Sequence, residues 1–343
     1  MATKQKTDAK EAKKLGKRLS VIGHDEILNY LDKSIKSDRL AHAYLFLGPE
    51  DVGKETVARW WLEKILHEGS KGGERHSLET HPDVAVIERI HDEKTKKMKK
   101  LISIEQIRDL RDKISLTSFL NTYKVALIRE AEHMSIEASN ALLKTLEEPA
   151  GKTIIVLLVT DLARLPETIT SRCQVIKFRI IPEKLIYDEL INREATREEA
   201  ELLSRLSAGS PGVALKFFED NERLEEYKSE VREFLDITSS AIWKRFNFAD
   251  SKISTRGDRE EIVRGVKKIL SIWQGVIRDA LLLSLGNKEL MVNYWAIDEI
   301  SDWSKQHQVE QMVVLLNKIK QTEKEISQNA NIRLAIENFL LNF

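Results

Sequence analysis

Gly48-Pro-Glu-Asp-Val-Gly53-Lys54-Glu55-Thr56 has the spacing of a phosphate-binding loop. Such a loop turns backbone N–H groups toward a phosphate at a helix N-terminus, while the lysine reaches the terminal phosphates. The strand-like run Tyr44-Leu45-Phe46-Leu47 before it, and the helical pattern after it, are the context the motif needs. The motif also asks for Ser or Thr directly after the lysine, because that hydroxyl holds magnesium. Glu55 stands there instead, and a carboxylate beside the β- and γ-phosphates repels them. Thr56 is one residue late and, on a helix, points about 100° away.

A second metal-binding motif is altered as well. Lys124-Val-Ala-Leu-Ile-Arg129-Glu130 reads as a buried strand ending where an Asp should organise the metal. Arg129 takes the Asp position, and Glu130 alone remains of the acidic pair. Losses in both motifs point to a nucleotide site that has stopped working as an ATPase. Two further positions carry chemistry or merely close turns. Thr160 ends a strand-like run where a polar group can sense a γ-phosphate, and Ser171-Arg172-Cys173 puts an arginine in a short helix-to-strand turn.

These residues need a scaffold, and the apolar pattern supplies one. Strand-like runs lie at Tyr44–Leu47, Val84–Glu88, Val125–Ile128, Ile154–Val159 and Val175–Phe178. Helical patterns fill 25–36, 54–68, 104–113 and 136–147, the last with Ser135 as N-cap and Pro149 closing it. Near-continuous apolar strands alternating with amphipathic helices predict a parallel sheet covered on both faces, an α/β P-loop domain. Strand signals nearly vanish after Pro182, where short helices are expected to 236 and longer ones from 240 to 343. At 343 residues the chain exceeds one ordinary core. The expected division is a basic disordered tail at 1–19, a P-loop domain at 20–182, a helical domain at 183–236 and a second at 237–343.

Lys+Arg and Asp+Glu both number 55, so global charge suggests no polyanion binder. The basic tail, and the lysines of Lys94–Lys100 in a polar excursion, read as solvated segments or as weak DNA-contacting arms. No signal-peptide pattern or bilayer-length apolar run appears, so a cytoplasmic chain without membrane contact is expected. One cysteine, Cys173, excludes an intramolecular disulfide framework and any multi-cysteine zinc site.

"NALLKTLEEP" at 140–149 and "LPETITSRCQVIKF" at 165–178 resemble the bacterial clamp-loader members of the AAA+ superfamily. The likeness continues in "SVIGHDEI", "DRLAHAYLFLGPEDVGKE", "THPD" at 80–83, "SAGSPGVAL" at 207–215 and "NANIRLAIENFLL" at 329–341. These span roughly residues 20–343 in order. The resemblance implies an AAA+ module followed by an all-α lid and an all-α collar that oligomerises. Two clamp-loader families fit, delta-prime and gamma/tau, both of DNA polymerase III. The gamma/tau pattern keeps Lys-Ser/Thr, Asp-Glu and a lid arginine where this chain has Glu55, Arg129-Glu130 and Gly212, which favours delta-prime. Both families often carry a four-cysteine zinc module before "THPD". This chain has no cysteine there, and His67, His76 and His81 read as surface residues, so no zinc is expected.

By the same resemblance, Arg172, introduced by Ser171, projects across a subunit boundary to a neighbour's γ-phosphate. The degenerate site would comprise Gly48, Gly53, Lys54, Thr56, Glu130 and Thr160, with weak ATP or ADP binding left open. Implied partners are gamma/tau-like and delta-like subunits, a sliding clamp and, through the complex, primer-template DNA. Apolar stripes at 272–286 and 330–341 are expected to pack against other subunits. Two alternatives stay open: an active gamma-like ATPase that tolerates Glu55, and a stand-alone DNA-binding protein using the basic segments.

Overall fold

The computed structural model describes residues 21–68, 78–90, 99–116, 118, 123–149, 151–252 and 259–343. The basic tail, His76 and most of Lys94–Lys100 lie outside the described residues. The chain divides into two compact units, residues 1–186 with 209–212, and residues 187–208 with 213–343.

In the first unit α1 (Asp25–Lys36) precedes β1 (Ala43–Leu47), and α2 (Lys54–Glu68) follows it. Then come β2 (Val84–Ile87), α3 (Ile104–Ser115), β3 (Lys124–Ile128), α4 (Ile136–Glu147), β4 (Thr153–Val159), the short α5 (Glu167–Thr170) and β5 (Gln174–Lys177). The five strands form one parallel sheet, as the apolar runs predict, and the structure orders them β2-β3-β4-β1-β5. Successive side chains alternate between faces, and both faces are buried. Leu45, Ala126, Ile128, Ile155 and Leu157 meet Ile107 and Leu110 of α3 and Leu142 and Leu146 of α4. Tyr44, Phe46, Val125, Leu127 and Val156 meet Leu31 of α1 and Val57, Trp61 and Leu62 of α2.

Capping sets the helix starts. Ser135 accepts from Ala138 N at 3.1 Å, and Ser103 and Gln106 form a reciprocal capping box at the start of α3. The strand order leaves the carboxyl ends of β1, β3 and β4 beside one another. From those ends emerge Gly48, Arg129 and Thr160.

The second unit is helical: α6 (Glu183–Asn192, begun in the first unit), α7 (Arg197–Leu206), α8 (Pro211–Glu219, its first two residues in the first unit), α9 (Asn221–Thr238), α10 (Ile242–Lys252), α11 (Arg259–Ser284), α12 (Ile297–Ser304), α13 (Val309–Ser327) and α14 (Ile332–Leu340). The 18-residue α9 runs through position 236, and its Val231, Phe234 and Leu235 join the same core as α11 to α14. Trp273 centres that core, stacked on Phe339 at 5.6 Å between ring centroids. The stripes at 272–286 and 330–341 bury Trp273, Val276, Ile277, Ala280, Ile336 and Phe339 in this chain's own core. Amphipathic periodicity marks a face that is buried without naming the surface that covers it. Among the described residues no helix is long and apolar enough to cross a membrane.

A carboxylate fixes the loop after α11. Asp279, fully buried, accepts from Val292 N, Asn293 N and Asn293 Nδ2 at 3.1, 2.7 and 2.9 Å. Tyr227 of α9 donates to Asn293 Oδ1 at 2.8 Å, and burial pushes its phenol up to about 12. Asp279→Ala strands three donors and should destabilise the protein by about 3 kcal/mol in urea denaturation. A loss below about 1 kcal/mol would mean that those donors find other partners.

Candidate functional site

The loop after β1 is shaped by close backbone approaches. A Cβ on Gly48 would lie 2.6 Å from the Phe178 carbonyl oxygen, so no larger residue fits. Gly48 N donates to Val159 O at 3.1 Å, tying the loop to the end of β4. Gly53, at φ 107°, turns the chain into α2 in a conformation that favours glycine. Lys54 is 8% exposed and folds back onto the loop. Its ammonium donates to Gly48 O and to Pro49 O, the latter at 2.6 Å. Burial lowers its pKa, while Glu132, Glu50 and Asp51 oppose the shift.

The turn at 209–212 closes on the same loop. Gly212 N donates to Asp51 O at 2.8 Å, and a Cβ on Gly212 would meet that oxygen at 2.9 Å. An arginine at this position, as in the gamma/tau pattern, needs the loop to move.

The two departures from the motifs touch. Arg129 Nη2 donates to Glu55 Oε1 at 2.5 Å, and its Nη1 donates to Glu88. Arg59 Nε, one turn along α2, donates to Glu55 Oε1 at 2.8 Å and its Nη1 to Glu79. Burial works against the charge of Arg129, but Glu88 and Glu55 outweigh it and hold the guanidinium above its ordinary range. A divalent cation does not fit this donor set. The position that should give a hydroxyl gives a carboxylate already bound, and the position that should give a carboxylate gives a cation. Thr56 is half-buried one residue further on, and the network runs through Glu55 instead.

Glu130 has a left-handed backbone at φ 47°, and its carboxylate accepts from Arg89 Nε at 2.6 Å. Thr160 is exposed, and Glu132 holds it, accepting from Thr160 N at 2.9 Å and from its hydroxyl. Glu132 is itself buried at 8% exposure, and its charge also acts on Lys54. It thus links the phosphate loop to the end of β4. Its only signal in the sequence is a third charged side chain after an apolar strand.

Ser171 and Arg172 form a separate group in the turn between α5 and β5. Arg172 Nη2 pairs with Glu147 Oε1 at 2.7 Å, and its Nη1 donates to Thr168 O at 2.9 Å and to Ser171 Oγ at 3.4 Å. The Arg172 side chain is 37% exposed. Glu147 ends α4, so "TLEEP" and "SRC" are brought together by the fold.

Residues 23–182 match the family model described as DNA polymerase III, delta subunit. The chain is 25% identical over 327 residues to the DNA polymerase III subunit delta-prime of Bacillus subtilis, covering 92% of this chain and 94% of that one. By these matches the chain is similar to the delta-prime subunits of DNA polymerase III. A second delta-prime subunit, from Pseudomonas aeruginosa, is 37% identical over 184 residues, 51% of this chain and 54% of the relative. The tau subunit of Bacillus subtilis is 30% identical over 207 residues, 56% of this chain and 35% of its own length.

The residue after Arg172 is a natural probe. Burial pushes the Cys173 thiol up to about 12, so at pH 8 almost none of it is thiolate. Its reaction with Ellman's reagent at pH 8 should be at least about a hundredfold slower in the folded protein than in denaturant. Equal rates would place Cys173 in solvent.

Proposed function

We propose that this chain is an accessory subunit of a DNA polymerase III clamp loader that does not turn over ATP itself and supplies Arg172 to a nucleotide held by its neighbour. The Glu55–Arg129 ion pair, lying where a metal-binding hydroxyl and carboxylate would be needed, carries this reading. Lys54 adds to it, since its ammonium is spent on loop carbonyls. Phosphoryl transfer depends on neutralising charge spread over the transferring oxygens, and an arginine in trans does this with a planar fork. Arg172 has the exposure for that role, and its bonds to Glu147 and Thr168 O fix where it starts from. The partners on this reading are gamma/tau-like and delta-like subunits, the sliding clamp and primer-template DNA. The helices from 183 act as lid and collar, and the chain works in the cytoplasm.

The isolated protein should hydrolyse ATP at background rate. Magnesium-dependent turnover that Lys54→Ala abolishes would favour an active gamma-like subunit instead.

Arg172→Ala should leave this subunit folded and able to assemble, because the side chain is a surface group of its own unit. The reconstituted loader should lose much of its DNA- and clamp-stimulated ATPase, since a finger in trans is worth about 10³–10⁵ in rate at the site it serves. Arg172→Lys should rescue poorly, as one ammonium cannot make the fork's two-point contact. Wild-type ATPase and clamp loading in Arg172→Ala loaders would sink the trans role.

A further inference from the structure

The residues that break the two metal motifs stand 74 positions apart in the chain and are in direct contact. Glu55 comes from the first turn of α2, Arg129 from the end of β3 and Glu88 from the end of β2, so the contact joins the phosphate loop's helix to the sheet edge. Charges alternate along the row Glu79, Arg59, Glu55, Arg129 and Glu88. In a working site of this type the metal makes that connection, through a hydroxyl after the lysine and an acid at the strand end.

We propose that the Glu55–Arg129 pair is a compensated replacement for the metal bridge, holding loop and sheet together and shutting magnesium nucleotide out. The proposal rests on reading the loop as a disused nucleotide site. It adds that the two departures are one coupled change. With Glu55 alone restored to a hydroxyl, Arg129 keeps its cation at the metal position, paired with Glu88. With Arg129 alone restored to an acid, Glu55 and Glu88 are left facing a third carboxylate.

The test is a cycle of full-length variants, Glu55→Thr, Arg129→Asp and both together. Stability is followed by denaturant unfolding, and binding of fluorescently labelled ADP is followed with and without magnesium. Glu55→Thr should destabilise the parent, by up to about fivefold in the folding equilibrium for a part-exposed pair. In the Arg129→Asp background the same change should stabilise, because there it removes a repulsion. Magnesium should tighten ADP binding by about tenfold or more in the double variant, and by less than about twofold in the parent and in each single variant. The milder pair Glu55→Gln and Arg129→Gln gives the same stability cycle if Arg129→Asp does not fold. The proposal is overturned if Glu55→Thr has the same effect in both backgrounds. It is equally overturned if a single variant gains magnesium dependence as large as the double variant's, or if the double variant gains none. Those failures would leave the accessory role standing, because background ATPase in the isolated parent and the Arg172→Ala defect in the loader do not depend on the coupling.

Discussion

Everything at the candidate site follows from a parallel sheet buried on both faces. Parallel strands with helices against each side share a direction, so their carboxyl ends line one edge. With β1 between β4 and β5, and β3 beside β4, Gly48, Arg129 and Thr160 all leave from that edge. Hydrogen bonds then fix their spacing. Gly48 N binds Val159 O, Phe178 N binds Leu47 O, and Glu132 binds Thr160. The glycines at 48 and 212 allow two other segments to lie directly on the loop. The apolar faces therefore position the polar edge, and the edge can change its chemistry without altering the sheet.

On the proposed reading, that edge has exchanged one kind of electrostatic connection for another. A metal between hydroxyl and carboxylate comes and goes with nucleotide, whereas an ion pair between Glu55 and Arg129 belongs to the chain permanently. Part-exposed pairs are individually weak, on the order of 1 kcal/mol or less. Arg129, however, is shared between Glu55 and Glu88, and Glu55 between Arg129 and Arg59. Sharing holds each side chain from two directions and lowers the entropy still to be lost on pairing.

Much of the first unit was legible in the sequence. Tyr44–Leu47, Val125–Ile128 and Ile154–Val159 are uninterrupted apolar runs because both faces of each strand are buried, and Ser135 and Pro149 bracket α4. Glu55 and Arg129 were visible as departures from motifs. Their contact was not, because nothing local records a pairing between a helix start and a distant strand end. Glu147 was hidden for the same reason: it reads as the charged end of a helix until the turn at Arg172 folds against it. The second unit was legible only as far as burial. The stripes around Trp273 and Phe339 announce burial equally well whether the covering surface is the same chain or another.

The ion pair at the loop also constrains how this sequence can drift. On that reading, a return to a metal-binding loop requires two codons to change, and either change alone leaves a cation at the metal position or gathers carboxylates. Each intermediate is thus disfavoured by the same electrostatics that hold the present pair together. On the proposed reading, the contact between Glu55 and Arg129 therefore ties the two positions together, so that they drift as a pair.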